Sequence, residues 1–470
     1  MGKKFIIYQM LPRLFGNRNS NCVHNGSLAE NGSGKFCDIS VKVLEELKKL
    51  SVTHLWYTGI IRHATDGDTT AKGKAGSPYA IKDYYDVNTY MATHPENRMA
   101  EFEELVSRTH SQGLKVLIDF IPNHLSREYD SAVKPFDDRN FYPGRIHDGD
   151  WTDTVKLNYG SHDTWEKMRD ILMFWAAKGV DGFRCDMVEL VTVDFWEWCI
   201  PQIKKSFPDI IFIAEIYQPH NYHPYIRRGG FDYLYDKSGF YDTLRAISAG
   251  HTSASSLTSV WQGLGDFQSN MLNFLENHDE QRVASDFFIG DPRRSMAMLY
   301  VSLLFNTAPF MIYFGQELGE RGMETEGYSG VDGRTTIYDF WCLSSVRRFL
   351  EGMDAGDVFK HLTDSEAGIL SAYRKLLRLS VDTPSFEVGK TFDLMYVNPQ
   401  SDHFDPRYHY AFLRSDGREI YLIAANFSQW DATVSINIPQ EVFDYFGVCG
   451  SPSQITVSVK AFDGNIIQII

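Results

Sequence analysis

The 470-residue chain has no CxxC pair, no excess of positive charge, no internal repeat and no low-complexity tract. Its six cysteines, Cys22, Cys37, Cys185, Cys199, Cys342 and Cys449, are scattered. That scatter excludes metal-site spacing and a dense disulfide framework. A Cys22–Cys37 bridge would close a loop, but reduced thiols are the expectation. Lys plus Arg number 46 against 61 Asp plus Glu, a net charge of −15. No net positive field exists to displace phosphate counterions, so nucleic acid and anionic membrane surfaces are excluded as partners. The longest apolar run, MAMLYVSLLFNTAPFMIYF at 296–314, is broken by Asn306, Thr307 and Pro309. It reads as a buried helix, a turn and a buried strand, with no membrane span expected. The N-terminal MGKKFIIYQMLPRLF reaches Pro12 and Arg13 too soon for a signal peptide. Cytoplasmic residence is therefore expected, or a periplasmic or secreted one if a leader has been removed.

What the chain does contain is an ample core. Hydrophobic residues make 43% and charged residues 23%, which excludes disorder as the main state. Phe, Tyr and Trp number 32, 25 and 9, or 14% of the chain. Most of these rings are expected inside, but a surplus also suits flat, neutral, hydroxyl-rich ligands.

Short β-type runs recur through the first two-thirds: FIIY (5–8), THLWY (53–57), KVLIDF (115–120) and VDGFRC (180–185), then DIIFIAEI (209–216), FDYLYD (231–236), NMLNFL (270–275) and PFMIYF (309–314). Stretches of helical period lie between them, such as 40–50, 101–113 and 164–179. Gly113 and Gly179 each stand where a helix would end before the next strand. This alternation predicts an α/β fold, a (β/α)8 TIM barrel over residues 1–384, with a short irregular excursion after strand three at 125–160. From about 385 the pattern changes. DATVSINI (431–438) and QITVSVK (454–460) alternate strictly, and residues 385–470 are predicted to form a C-terminal antiparallel β-sandwich domain.

Chemistry is expected at the C-terminal ends of the barrel strands. Strand three ends in Asp119, Asn123 and His124, strand four in Arg184 and Asp186, strand five in Glu215, and strand seven in Asn277, His278 and Asp279. Any one Asp at a strand end is more often a cap or a loop salt bridge than a catalyst. Four strand ends that all finish in acid, amide, His or Arg are harder to explain structurally. Alternate residues of a strand share a face, so Arg184 and Asp186 point together. A guanidinium holds a neighbouring carboxylate ionised, while a second carboxyl opposite keeps its proton. Two carboxyls with separated pKa values suit cleavage of a glycosidic bond.

These residues resemble, in order, the four signature regions of the α-amylase family of glycoside hydrolases (family 13). The matching stretches are DFIPNH at 119–124, GFRCD at 182–186, AEI at 214–216 and FLENHD at 274–279. IYQMLPRLF on strand one, SPYAIKDYYDVN at 77–88 and YFGQELG at 313–319 agree as well, and the resemblance covers the whole chain. It implies a retaining hydrolase of α-glucosidic, chiefly α-1,4, bonds in maltooligosaccharides or starch-type glucans. Asp186 would be the nucleophile, Glu215 the acid and base, and Asp279 the residue gripping sugar hydroxyls. Arg184, His124, His278, Tyr79, Asp119 and Asn277 would bind or support the sugar. Asn123 matches a calcium ligand of many relatives, so no cofactor is required and calcium is possible there. Two departures stand out. Glu189 and Leu190 replace a Lys-His pair common after the nucleophile, and Lys35 in NGSGKFCD places an ammonium where some relatives bind calcium. Trp151, Tyr217 and Tyr222 lie on mouth loops where rings would line subsites.

Other readings are a transglycosylase, glucanotransferase or α-glucosidase on the same scaffold, and a non-catalytic family member. A magnesium-dependent barrel enzyme is opposed by Arg184 among the acids and by the missing phosphate-type Gly loop after strand seven.

Overall fold

The computed structural model describes residues 4–129 and 135–470; the part of the predicted excursion at 130–134 lies outside the described residues. Eight parallel strands close into a barrel: β1 (Ile6–Met10), β2 (His54–Tyr57), β3 (Lys115–Phe120), β4 (Gly182–Cys185), β5 (Ile211–Ala214), β6 (Tyr233–Tyr235), β7 (Met271–Phe274) and β8 (Phe310–Tyr313). Each overlaps one of the eight runs read from the sequence, because a strand buried on both faces shows as a continuous apolar run. Helices Arg98–Ser111 and His162–Ala177 end as the glycines foretold, with Gly113 at φ +73° and Gly179 at φ +88°. The 296–314 run is helix Met296–Leu304 followed by β8, and among the described residues no helix is long and apolar enough to cross a membrane.

The barrel interior is filled by inward side chains such as Ile7, Trp56, Leu117, Tyr235, Leu272 and Met311, all buried. A larger apolar layer lies between the strands and the surrounding helices. Gly182 opens β4 because a Cβ there would sit 2.5 Å from the Ile211 side chain and 2.7 Å from that of Leu117. Downstream, β9 (Lys390–Asp393), β10 (His409–Ser415), β11 (Ile420–Asn426) and β14 (Gly464–Gln468) form a four-stranded antiparallel sheet. Strands β12 (Ala432–Ile438) and β13 (Ser453–Val459) pair separately.

A buried acid supports the mouth of this barrel. Asp236, directly after β6, accepts the Phe240 N–H at 2.9 Å and so closes the π-helical turn Lys237–Tyr241. Its Oδ2 has no partner, and burial pushes its carboxyl up to about 7. Burial does the same to Glu317, also up to about 7. A folded-state pKa above the unfolded value near 3.9 means that the folded state holds more protons in that interval. Stability therefore falls as pH rises from about 4 to about 7. Thermal melts are expected to show the melting temperature dropping between pH 5 and pH 8, and Asp236→Asn should remove part of that drop. An unchanged slope in the variant would contradict the assignment.

Candidate active site

The register of three strands assembles the site. Asp119 on β3 pairs with Arg184 on β4, and Cys185 on β4 pairs with Ala214 on β5. The residues that follow, Asp186 and Glu215, therefore leave the barrel side by side. Their backbones continue the pairing, with Asp186 N–H donating to Phe120 O and Glu215 N–H to Cys185 O. Met187 then takes a left-handed conformation (φ 42°, ψ 50°), a strained state for a residue with a Cβ. That turn aims its N–H at Glu215 Oε2, 2.7 Å away.

Arg184 is the centre of the arrangement. Its fully buried guanidinium lies 2.7 Å from Asp186 Oδ1, 2.8 Å from Glu215 Oε1, 3.8 Å from Asp119 and 3.9 Å from Asp279. Rings of Trp56, Tyr79 and Tyr235 surround it at 5.4–5.5 Å, within cation–π range. One cation faces four carboxyls. Like charges about 4 Å apart repel by roughly 4 kcal/mol at an effective dielectric near 20, so the four do not all ionise together at neutral pH. Burial raises Asp119 to about 7 despite Arg184. Asp186 is raised by burial but held back by Arg184 and by a hydrogen bond from Glu215. Glu215 is raised by burial and further by the charge of Asp186, against the pull of Arg184. Asp279 is raised by burial and then by Glu215, though its side chain keeps 39% exposure to the pocket, which tempers the shift. Burial thus favours the protonated form of both Asp186 and Glu215, and the charge of Asp186 pushes Glu215 further that way.

The other sequence-predicted residues take distinct places. Tyr79 and His124 line a pocket of about 300 Å³ together with Asp186, Glu215 and Asp279. The Tyr79 ring stacks on His278 at 5.3 Å, and its hydroxyl bonds His278 Nε2 and Asp119 Oδ1. His278 is held from behind by Gln9 at 2.8 Å and is kept neutral by burial and by Arg184. Asp119, Asn277 and His278 do not line the pocket, and His278 borders the neighbouring cavity instead. Asp119 braces Tyr79 and the Gly59 N–H, and Asn277 Oδ1 accepts the Asp279 and Glu280 N–H groups, holding the turn that presents Asp279. Trp151 and Tyr217 do line the pocket, whereas Tyr222 is buried beneath its loop and contributes nothing to the wall.

Some residues of this site, and the roles of others, do not follow from the sequence. Tyr217 donates its hydroxyl to Glu215 Oε1 at 2.6 Å. Its loop is fixed by Glu189, whose carboxylate accepts the N–H groups of Tyr217 and Gln218 and the Asn221 amide. The departure from Lys-His thus installs a loop anchor. Lys72, from the loop after β2, reaches Asp153 at 2.9 Å across the pocket. With Trp151, Ile337 and Tyr338 it separates the pocket from a neighbouring cavity of about 290 Å³ that contains Asp332 and Arg334. These residues sit on irregular loops where no period marks them.

The position matching a calcium ligand does not fit the ion. Asn123 turns its amide nitrogen toward Asp148 Oδ2 at 2.8 Å, and the Lys156 ammonium takes Asp148 Oδ1 at 2.7 Å. Both oxygens are engaged and the charge is balanced. In the NGSGKFCD loop the Lys35 ammonium donates to Tyr90 O. Among the described residues no group of three or more His, Cys, Asp and Glu is placed to hold a metal. Chelator is expected to leave both turnover and melting temperature unchanged. Lys156→Ala should cost about 1 kcal/mol, the low end for a charge-assisted bond because the pair is partly exposed. Stabilisation of the parent by added calcium in a thermal melt would refute this.

Comparison with known proteins agrees with the geometry. The family model for the α-amylase catalytic domain matches residues 9–153 and 148–355. Alpha-amylase 3 of Dictyoglomus thermophilum is 23% identical over 425 residues, covering 77% of each chain. Alpha-amylase MalA of Haloarcula japonica is 29% identical over 297 residues, 59% of this chain and 41% of its own length. Among solved structures, a noncanonic maltogenic alpha-amylase AmyB from Thermotoga neapolitana superposes with a TM-score of 0.66 at 22% identity, covering 99% of this chain and 96% of that one. At that identity the likeness is one of fold.

Proposed function

The chain belongs to the α-amylase family of glycoside hydrolases, and on that premise we propose that it cleaves α-glucosidic, chiefly α-1,4, bonds of maltooligosaccharides or starch-type glucans with retention of configuration. One observation carries the reading: Asp186 and Glu215 are held by neighbouring nitrogens of a single buried guanidinium, at 2.7 and 2.8 Å. That arrangement favours the short carboxyl spacing of about 5–5.5 Å used by retaining pairs over the roughly 6.5–9.5 Å of inverting ones.

In the first step Asp186 attacks the anomeric carbon as the glycosidic C–O bond breaks, and Glu215 gives its proton to the leaving oxygen. In the second, the Glu215 carboxylate takes a proton from water, which attacks the same carbon and frees Asp186. Asp279 and His124 bind hydroxyls of the distorted sugar, and Tyr79, backed by the His278 ring, supplies an apolar face. Hydrogen bonds that tighten in the transition state contribute several kcal/mol in this chemistry. No metal enters either step, given the Asn123–Asp148–Lys156 arrangement.

Digestion of maltoheptaose tests the proposal. The expected products are shorter than the substrate, and the newly formed reducing ends carry the α configuration in an early NMR spectrum. Chains longer than maltoheptaose would replace hydrolysis by transfer to a sugar hydroxyl, and β products would overturn the retaining mechanism.

A further inference from the structure

A cavity larger than the catalytic pocket lies elsewhere among the described residues. A trough of about 800 Å³ lies beneath the barrel, between the loop that leads into β8, helix Ser256–Leu264, strand β9 and helix Gln440–Phe446. A second cavity of about 610 Å³ shares Ser269, Thr307 and Gly389 with it and extends it under the barrel floor toward Phe5 and Tyr233. Residues 305–307 and 269 precede β8 and β7, so the trough opens at the end of the barrel opposite Asp186 and Glu215. It is no continuation of the catalytic pocket.

The wall of the trough has a specific character. Tyr396 and Tyr445 are 60% and 46% exposed and flank Phe392, with centroids at 6.3 and 5.5 Å. Trp261 stands opposite, its ring locked because Nε1 donates to Asp393 Oδ2 at 2.8 Å. Rings left in water at a cavity rim are costly unless something covers them. Between them lie neutral hydrogen-bonding groups: Thr258, Gln262, Gln268 and Thr307. Asn306, buried and lining the cavity, has an amide nitrogen without a partner. Three charged groups line it: Asp266 paired with Arg227, Asp393 accepting from Thr258, Trp261 and Tyr410, and Lys390 over the Tyr445 ring at 5.2 Å. One ammonium against two carboxylates in the lining disfavours a phosphate or a carboxylate ligand. Rings interleaved with amides and hydroxyls match a neutral sugar chain, whose apolar faces stack while its hydroxyls bond at the edges.

We propose that this trough is a second, non-catalytic binding site for an α-glucan chain, holding polymeric substrate at the far end of the barrel. The choice of ligand rests on the glucan reading of the catalytic site. The site acts through Tyr396, Tyr445 and Trp261, and its loss affects binding of long glucans without touching the bond-breaking residues.

β-Cyclodextrin, a cyclic α-1,4 glucan too wide for the catalytic pocket of about 300 Å³, is the probe. Titration calorimetry of the full chain is expected to show saturable binding, weakened at least tenfold in Tyr396→Ala/Tyr445→Ala. The Tyr396→Phe/Tyr445→Phe variant, which keeps both rings, should stay within about threefold of the parent. In all three proteins kcat/KM on maltotriose should agree within twofold. Absence of cyclodextrin binding, or equal binding by the alanine variant, would overturn the site while leaving the catalytic reading intact. Ring-dependent binding without hydrolysis of any glucan would do the opposite. If the double alanine variant melts early, the two single variants decide by the same criterion. Conversion of a dimer to a monomer by the alanine changes, with no cyclodextrin binding, would assign the face to a second copy of the chain and sink the proposal.

Discussion

Asp186→Asn is expected to lower kcat on maltooligosaccharides by a factor on the order of 10⁴ to 10⁶, the range seen when a nucleophile of a concerted catalytic group is removed. The amide cannot form the glycosyl ester, and no neighbouring acid is placed to substitute: Glu215 is bound at both oxygens, by Tyr217 and Met187, and Asp119 faces Tyr79 rather than the pocket. The fold should survive. Arg184 keeps Glu215, Asp119 and Asp279 within 4 Å, so its charge remains compensated, and one repulsive acid is gone from a crowded cluster. The melting temperature should therefore hold or rise slightly while turnover disappears. Retained turnover in a folded variant would disprove the nucleophile assignment. Removing Arg184 instead would strand several buried carboxyls, and breaking a buried pair from one side costs about 3–5 kcal/mol.

Glu215→Gln is expected to slow natural glucans by about 10²–10⁴, the usual contribution of general acid–base catalysis. The loss should shrink with an activated aryl leaving group, because bond cleavage then needs less protonation. Hydrolysis of the glycosyl–enzyme would still lack its base, so ester should accumulate and an initial burst of the aryl alcohol should appear. The pH profile carries a second signature. In the parent, burial and the charge of Asp186 both push Glu215 up, so the acid form persists to higher pH, and activity should fall as pH rises through the upper ionisation. In the variant that limb should vanish for the activated substrate. A parent-like alkaline limb in Glu215→Gln would move the acid role to another residue, Asp279 being the alternative with a raised pKa.

The barrel and the strand ends that converge on Arg184 were legible because both follow local rules. Eight apolar runs separated by helical periods leave few architectures open, and the alternation of a strand puts Arg184 and Asp186 on one face whatever surrounds them. The site loops carry no such rule. Lys72 and Asp153 are 81 positions apart, and only the folded loops bring ammonium and carboxylate together across the pocket. Tyr217 was seen as a ring for a sugar to stack on, yet what its loop presents to Glu215 is a hydroxyl. Glu189 first reads as a lost substrate contact and becomes an anchor for that loop only in three dimensions.

By itself, then, the sequence determined the class of fold and the strand ends at which acids, amides and guanidinium meet, since each depends on a period of two or 3.6 residues. The tertiary structure alone decided how the surplus of aromatic rings is spent: Trp56 and Tyr235 around Arg184, Trp151 and Tyr217 on the pocket wall, Tyr396 and Tyr445 on a trough at the opposite pole. It also decided that an ammonium from Lys156 balances the carboxylate beside Asn123. The physical reason is the same in both cases. Contacts between residues distant in sequence depend on where closed strands and irregular loops deliver their side chains, and no local periodicity encodes that delivery.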